Sequence, residues 1–170
     1  VDVDVRTAKD LAANKKPPVC FQGQTVGVAK AFMIDRATAE DLIAKGEGAV
    51  IHPFTGGGLL LSQLAPPGFV IDIPDDDLVV ARSKYPNAMK RLEQLALPER
   101  QEAAANERAA NDKARLGNPK SKVNQHHAKF LDHWWRLGYR REALLDAIAD
   151  LPRALAIPRY QTEKRQTIAT

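Results

Sequence analysis

The spacing of apolar residues along the chain changes near residue 74. Before that point, apolar residues form short clusters separated by Gly and Pro, which is typical of short strands joined by turns. The clearest cluster is Phe69–Ile73, which stops at Pro74. After it, apolar residues recur every three or four positions, as at Met89, Leu92 and Leu95, which predicts amphipathic helices. The pattern predicts an α+β protein, with a small mixed or antiparallel β-rich N-terminal half followed by a helical half.

Short apolar clusters predict five strands in the first half. They are Val19–Phe21, Val26–Val28, Phe32–Ile34, Val50–Ile51 and Phe69–Ile73. One helix is expected over 37–45, because Asp35 can cap its start and Gly46 can end it. A last strand near 154–158 is expected to return to the same sheet.

The second half predicts a series of helices interrupted by proline and glycine. Asp75 to Asp77 can cap the first helix, and Pro86 and Pro98 suit the first turns of the next two. A basic break follows over 117–122, and further helices are expected around Trp134-Trp135 and from about residue 139 to 151. We therefore divide the chain into a β-rich part (1–74), a helical spacer (75–116) and a basic helical segment with the closing strand (117–170).

Composition places the chain among ordinary globular proteins. It has 170 residues, of which 44% are hydrophobic and 27% are charged. No apolar run approaches the roughly 18 residues that span a bilayer. Cys20 is the single cysteine, so no internal disulfide can form, and a cytoplasmic location is expected. Because the chain begins with Val1 and no secretory signal pattern follows, we expect a piece of a longer protein.

Positive charge is concentrated at the C-terminal end. Residues 1–114 carry 14 Lys/Arg against 16 Asp/Glu, whereas residues 115–170 carry 11 against 5. Such clustering is expected of a surface that contacts phosphates. The same charges also fit a solvated basic surface, and composition does not separate the two readings.

Motifs for catalysis are absent or incomplete. The segment Phe21 to Gly27 differs from the S-adenosylmethionine loop of methyltransferases, because Gln24, Thr25 and Val26 separate Gly23 from Gly27. Thr55 to Gly58 lacks the Lys-Ser/Thr of a phosphate-binding loop. The spacing of His126, His127 and His133, without cysteine, does not match a metal site. We therefore predict no catalytic, cofactor-binding or metal-binding residue in this chain.

Several segments in a fixed order resemble a known family. They are Asn14, Phe21 to Gly23, Ala31 to Ile34, Ala39 to Leu42, His52 to Gly57, Phe69 to Ile73, Ala81 to Pro86, Leu97 to Arg100, Trp134-Trp135, Pro152 to Arg159 and Glu163 to Arg165. This series resembles the spacer and target-recognition region of MmeI-like DNA methyltransferases and restriction–modification enzymes. His52 departs from the Arg common there, and Phe54 departs from Tyr.

The resemblance implies a DNA-handling fragment without its catalytic half. The expected partners are double-stranded DNA and the catalytic methyltransferase domain of the parent chain. The parent would methylate adenine at N6 with S-adenosylmethionine as cofactor, and the fragment alone would have neither cofactor nor activity. Sequence also leaves open a protein–protein scaffold whose helices dock another subunit. A nuclease is disfavoured, because the carboxylates after Pro74 suit a helix cap.

Two groups of residues are candidates for DNA contact, because Lys and Arg neutralise phosphates and polar side chains read base edges. The basic group is Lys120, Lys122, Lys129, Arg136, Arg140, Arg141, Arg159, Lys164 and Arg165. The group in the glycine-punctuated first half is Gln22, Gln24, Lys30, His52 and Thr55.

Overall fold

The structure is a computed structural model of a mixed α/β protein. It describes residues 18, 20–56, 68–74, 77–154 and 156. Residues 24–140 lie in one compact unit, and residues 20–23 and 141–154 lie in a second. The predicted helix-capping residues Asp75 and Asp76 fall outside the described residues. The predicted strand near 154–158 falls largely outside them too, and Ala154 and Ala156 are not in a strand.

The described sheet has three short antiparallel strands in the order β1-β3-β2. The strands are β1 (Met33–Ile34), β2 (Ile51–Phe54) and β3 (Gly68–Ile71). Val70 of the central strand is paired with Met33 on one side and with His52 on the other. Pro53 lies in β2, which is an edge strand, where a residue without an N–H group is tolerated.

The prediction of a β-rich N-terminal half is wrong, because helical turns occupy much of it. They are α1 (Ala29–Phe32), α2 (Arg36–Leu42), a π-helical turn (Ile43–Glu47) and a 3₁₀ turn (Gly48–Val50). Val28, Ala31 and Phe32 are all buried. Their spacing of three and four places them on one face of a helical turn. The predicted strand Val26–Val28 is therefore absent, and Phe32 ends α1, while Met33 and Ile34 form β1 as predicted.

The helical second half agrees with the sequence pattern. Its helices are α3 (Leu78–Lys84), α4 (Pro86–Leu95), α5 (Leu97–Gly117), α6 (His126–Asp132) and α7 (Glu142–Ile148). Two predicted caps are confirmed, since Asp35 accepts a hydrogen bond from the N–H of Thr38 at 2.8 Å and Asp77 accepts one from Val79 at 2.7 Å. Among the described residues, no helix is both long enough and apolar enough to span a membrane.

The core of the 24–140 unit lies between the sheet and the helices. Phe32, Ile71, Ile73, Met89 and Leu92 are its largest fully buried apolar side chains. Trp134 and Trp135 belong to the same core. The helix predicted around them is wrong, because α6 ends at Asp132 and both residues lie in the turn that follows, where both rings are buried.

A buried carboxylate outside the local sequence caps α4. Glu47 is only 2% exposed. It accepts hydrogen bonds from the backbone N–H and side-chain amide of Asn87, at 2.8 and 2.7 Å, and from the N–H of Ala88 at 2.7 Å. These donors lie in the first turn of α4, where N–H groups have no partner within the helix. Glu47 therefore joins the π-helical turn to α4.

Candidate nucleic-acid interface

Helices α5 and α6 pack against each other and are joined by residues 118–125; we call residues 97–132 the basic hairpin. The connection is held by its own polar groups. Asn118 accepts a bond from the N–H of Lys120 at 3.0 Å, and the hydroxyl of Ser121 donates to the carbonyl of Ala114 at 3.2 Å. The predicted basic break is thus tied back to the last turns of α5.

Two further contacts fix the start of α6 against α5. The side-chain amide of Asn111 donates to the carbonyl of Asn124 at 2.7 Å and accepts from its N–H at 2.9 Å. Glu107, which is 8% exposed, accepts from the N–H groups of His127 and Ala128 at about 3 Å. A carboxylate on α5 therefore accepts from two N–H groups in the first turn of α6, whose N-cap residue Gln125 makes no capping bond with its side chain.

The pKa of Glu107 is lowered in the folded protein. Desolvation of its carboxyl group acts to raise the pKa, but hydrogen bonds from the N–H groups of His127 and Ala128 and the positive charge of His127 lower it by more. A carboxyl group with a lowered pKa stabilises the fold above its ordinary value of 4.5, and this contribution is lost as the pH falls through the folded pKa.

We therefore expect Glu107→Gln to destabilise the protein at neutral pH and to have a progressively smaller effect as the pH falls below 4.5. Gln is the matched variant, because it keeps the length and one acceptor oxygen but carries no charge. Urea unfolding of both proteins, followed by circular dichroism across this pH range, measures the difference. A difference that stays constant with pH would contradict the assigned charge on Glu107.

Residues 108–129 of the basic hairpin carry six cations and one carboxylate, Asp112, whereas the rest of the hairpin carries Arg100 and four carboxylates, Glu99, Glu102, Glu107 and Asp132. All six side chains are exposed. Within the described residues, none of them makes a side-chain hydrogen bond or ion pair. They are Arg108, Lys113, Arg115, Lys120, Lys122 and Lys129. This surface is therefore strongly positive and its charges are available to an anionic partner.

Arg140 has an internal partner in the structure. Its Nε atom donates to both carboxylate oxygens of Asp72, at 2.9 and 3.0 Å, and the Asp72 side chain is 4% exposed. The amide of Gln24 donates to the same carboxylate at 3.3 Å. Gln24 and Arg140, both predicted to contact DNA, thus link their own segments to Asp72 at the end of β3.

Other predicted contacts also have partners within the protein. Lys30 forms an exposed ion pair with Glu99 at 2.7 Å. Arg141 donates to the side chain of Gln22 at 2.7 Å. Such exposed contacts are weak, so a ligand can replace them at little cost in free energy. Breaking the buried pair of Arg140 and Asp72 costs more.

The remaining predicted residues are distributed over the molecule. Lys120 and Lys122 lie in the connection of the basic hairpin, and Lys129 lies on α6. Arg136 is half-buried after α6, and exposed His52 and Thr55 lie in and just after edge strand β2. Three further candidates, which fall outside the described residues, are Arg159, Lys164 and Arg165.

Sequence reasoning missed half of the hairpin cations. Arg108, Lys113 and Arg115 had been assigned to the spacer, because they precede the basic break. The available signal was the low number of apolar residues in the second half of α5, which leaves several faces of this helix exposed to solvent. Combined with the neighbouring lysines, that signal would have extended the basic surface into α5.

An open groove lies between α5 and the start of α6. Its lining residues are Ala103, Asn106, Glu107, Ala110, Asn111, Asn124 and His127. The caps described above already use Glu107 and Asn111. Among the described residues, no group of three or more His, Cys, Asp or Glu side chains is arranged to hold a metal ion.

Comparison of the chain with protein-family models, with curated proteins and with solved structures found no match.

Proposed function

We propose that this chain is a DNA-binding target-recognition and spacer fragment of an adenine-N6 DNA methyltransferase, and that the basic hairpin is its main phosphate-contacting surface. The observation that carries DNA binding is the set of six exposed cations without internal partners on one helical hairpin. The ordered sequence segments support the methyltransferase assignment. Methyl transfer and S-adenosylmethionine binding belong to the catalytic domain of the parent protein in this proposal.

The internal contacts of the hairpin favour this role. A surface that binds a charged polymer is most effective when its cations are held in place before binding, because less conformational freedom is lost on association. The bonds from Asn111, Ser121 and Glu107 hold the backbone that carries Lys120, Lys122 and the start of α6. The cationic side chains then project from a fixed framework, while their ends stay free to contact phosphates.

Counterion release predicts how strongly binding depends on salt. Each phosphate neutralised on B-DNA adds about −0.9 to the slope of log K against log salt concentration. If Lys120, Lys122 and Lys129 each contact a phosphate, replacing all three by Ala reduces the steepness of that slope by about 2.7. We expect the affinity for duplex DNA at low salt to fall by at least about tenfold.

Fluorescence anisotropy of a labelled duplex, titrated at several salt concentrations, measures both quantities. The matched control replaces Arg36, Lys45 and Lys90 by Ala, which removes the same charge from exposed helix positions outside the hairpin. A selective loss in the hairpin variant supports the proposal. Equal losses in both variants would overturn the assignment of the surface, and no duplex binding at low salt would favour the protein–protein scaffold instead.

A further inference from the structure

Three aromatic rings contact one another at α6, two of them within the basic hairpin and the third on the segment that follows it. The centroids of His126 and Phe130 are 4.6 Å apart, those of Phe130 and Tyr139 are 5.5 Å apart, and both pairs meet edge to face. The rings of His126 and Tyr139 are 6.5 Å apart and tilted by 38°. We call these three residues the aromatic cluster.

Tyr139 of the aromatic cluster is held by backbone hydrogen bonds. The N–H and carbonyl of Tyr139 are both paired with Thr25, each at 2.9 Å. Gly27, with a φ of 83°, approaches Gly138 closely enough that a side chain on Gly138 would lie 3.2 Å from the carbonyl oxygen of Thr25. The position of Tyr139 is therefore set by a close backbone crossing at which glycine is favoured, by the positive φ of Gly27 and by the tight space at Gly138.

Phe130 is held by a buried cation, Arg100. Arg100 is 5% exposed and donates to the carbonyl of Phe130 at 2.8 Å. Its guanidinium group lies 5.3 Å from the centroid of the Phe130 ring. Such a cation over the ring face is favourable. The ring that contacts both other members of the cluster is thus anchored to α5.

The other two residues of the cluster are exposed. His126 is exposed, and Tyr139 is 43% exposed, which places it among the exposed large side chains of the described residues. Lys129 lies one helical turn after His126, and Lys122 lies four residues before it. Exposed aromatic residues with lysines close by in the sequence suit a ligand that combines planar rings with phosphates.

We propose that the aromatic cluster is a stacking surface for unpaired nucleobases, so that the fragment binds single-stranded or locally opened DNA in addition to duplex. This inference rests on the proposed DNA-binding function and extends it. Bases in a continuous duplex are already stacked on their neighbours and cannot present a face to His126 or Tyr139. An unpaired base can, while Lys122 and Lys129 hold the adjoining phosphates.

The test compares a labelled oligothymidylate with a labelled duplex of equal length by fluorescence anisotropy. Tyr139→Leu removes the aromatic face and keeps an apolar side chain, whereas Tyr139→Phe keeps the ring. His126→Ala is matched by His133→Ala, because His133 is also exposed but lies outside the cluster. Circular dichroism melting of each variant shows whether the fold is retained.

We expect Tyr139→Leu and His126→Ala each to weaken oligothymidylate binding by about 5- to 100-fold and duplex binding by less than about twofold. Tyr139→Phe and His133→Ala should stay within about twofold of the wild type for both ligands. Equal losses on the two ligands, or no loss on oligothymidylate, would overturn the stacking surface while duplex binding stands. If the wild-type chain binds neither ligand, the proposed function itself fails.

Discussion

Replacing Asp72 by Ala is expected to lower the free energy of unfolding by about 3–5 kcal/mol. The Asp72 carboxylate is buried and accepts two bonds from Arg140 and one from Gln24. Removing it leaves the half-buried guanidinium group of Arg140 without its carboxylate partner. The free-energy cost of burying that charge without the carboxylate is larger than the net stabilisation that the intact pair contributes. Urea unfolding followed by circular dichroism measures the change.

Two further variants serve as controls for the effect of replacing Asp72. Glu93→Ala breaks the exposed pair of Arg82 and Glu93, which has a similar length of 2.7 Å, and should cost less than about 1 kcal/mol. Arg140→Ala should also destabilise the fold but leave the salt dependence of DNA binding nearly unchanged. A loss of salt dependence as large as that from a hairpin lysine would show that Arg140 contacts phosphate after all.

Arg100→Met is expected to cost about 2–4 kcal/mol. Arg100 donates to the carbonyls of Phe130 and Arg136, both at 2.8 Å. Burial lowers the pKa of Arg100 to about 10, which shows that its charge is held at a cost in solvation. Met avoids that cost and keeps an apolar stem. It removes the donors of two carbonyls, however, at about 1–3 kcal/mol each, so the net effect is a loss.

The measurement is again urea unfolding, with Arg100→Lys beside Arg100→Met. Lys keeps the charge but has a compact ammonium group in place of a planar fork, so it should not restore both bonds. An Arg100→Met protein within about 0.5 kcal/mol of the wild type would mean that the two carbonyls find other donors. Loss of this anchor should also reduce oligothymidylate binding, because Phe130 is a member of the aromatic cluster.

Sequence reasoning succeeded where the interaction is local. Asp35 and Asp77 cap helices that begin at the next residue, so a short window of sequence contains both partners. The strand around Phe69 was found because its apolar run is bounded by turn residues. The same reasoning was wrong for Val26–Val28, which is not in a strand, and for Phe32, which ends α1, since an apolar cluster of that length suits either a strand or one helical turn, and packing decides between them.

The interactions that organise the fold and the candidate site join segments that are distant in the sequence. Glu47 and Asn87 are 40 residues apart, Asp72 and Arg140 are 68 apart, and Glu107 and His127 are 20 apart. No local pattern of charge distinguishes these carboxylates from exposed ones. The hairpin lysines could be predicted from charge alone, but the internal bonding of Arg140 and the meeting of three rings at Phe130 required the folded chain.

Helices α4 and α6 share a feature with a consequence for synthesis of the chain. In each, the N-cap residue makes no side-chain bond, and N–H groups of the first turn bond to a carboxylate nearer the N-terminus, Glu47 or Glu107. Because a ribosome makes the N-terminal segments first, each acceptor emerges before the helix that needs it. The nascent polypeptide can therefore complete each helix start as soon as its first turn leaves the exit tunnel.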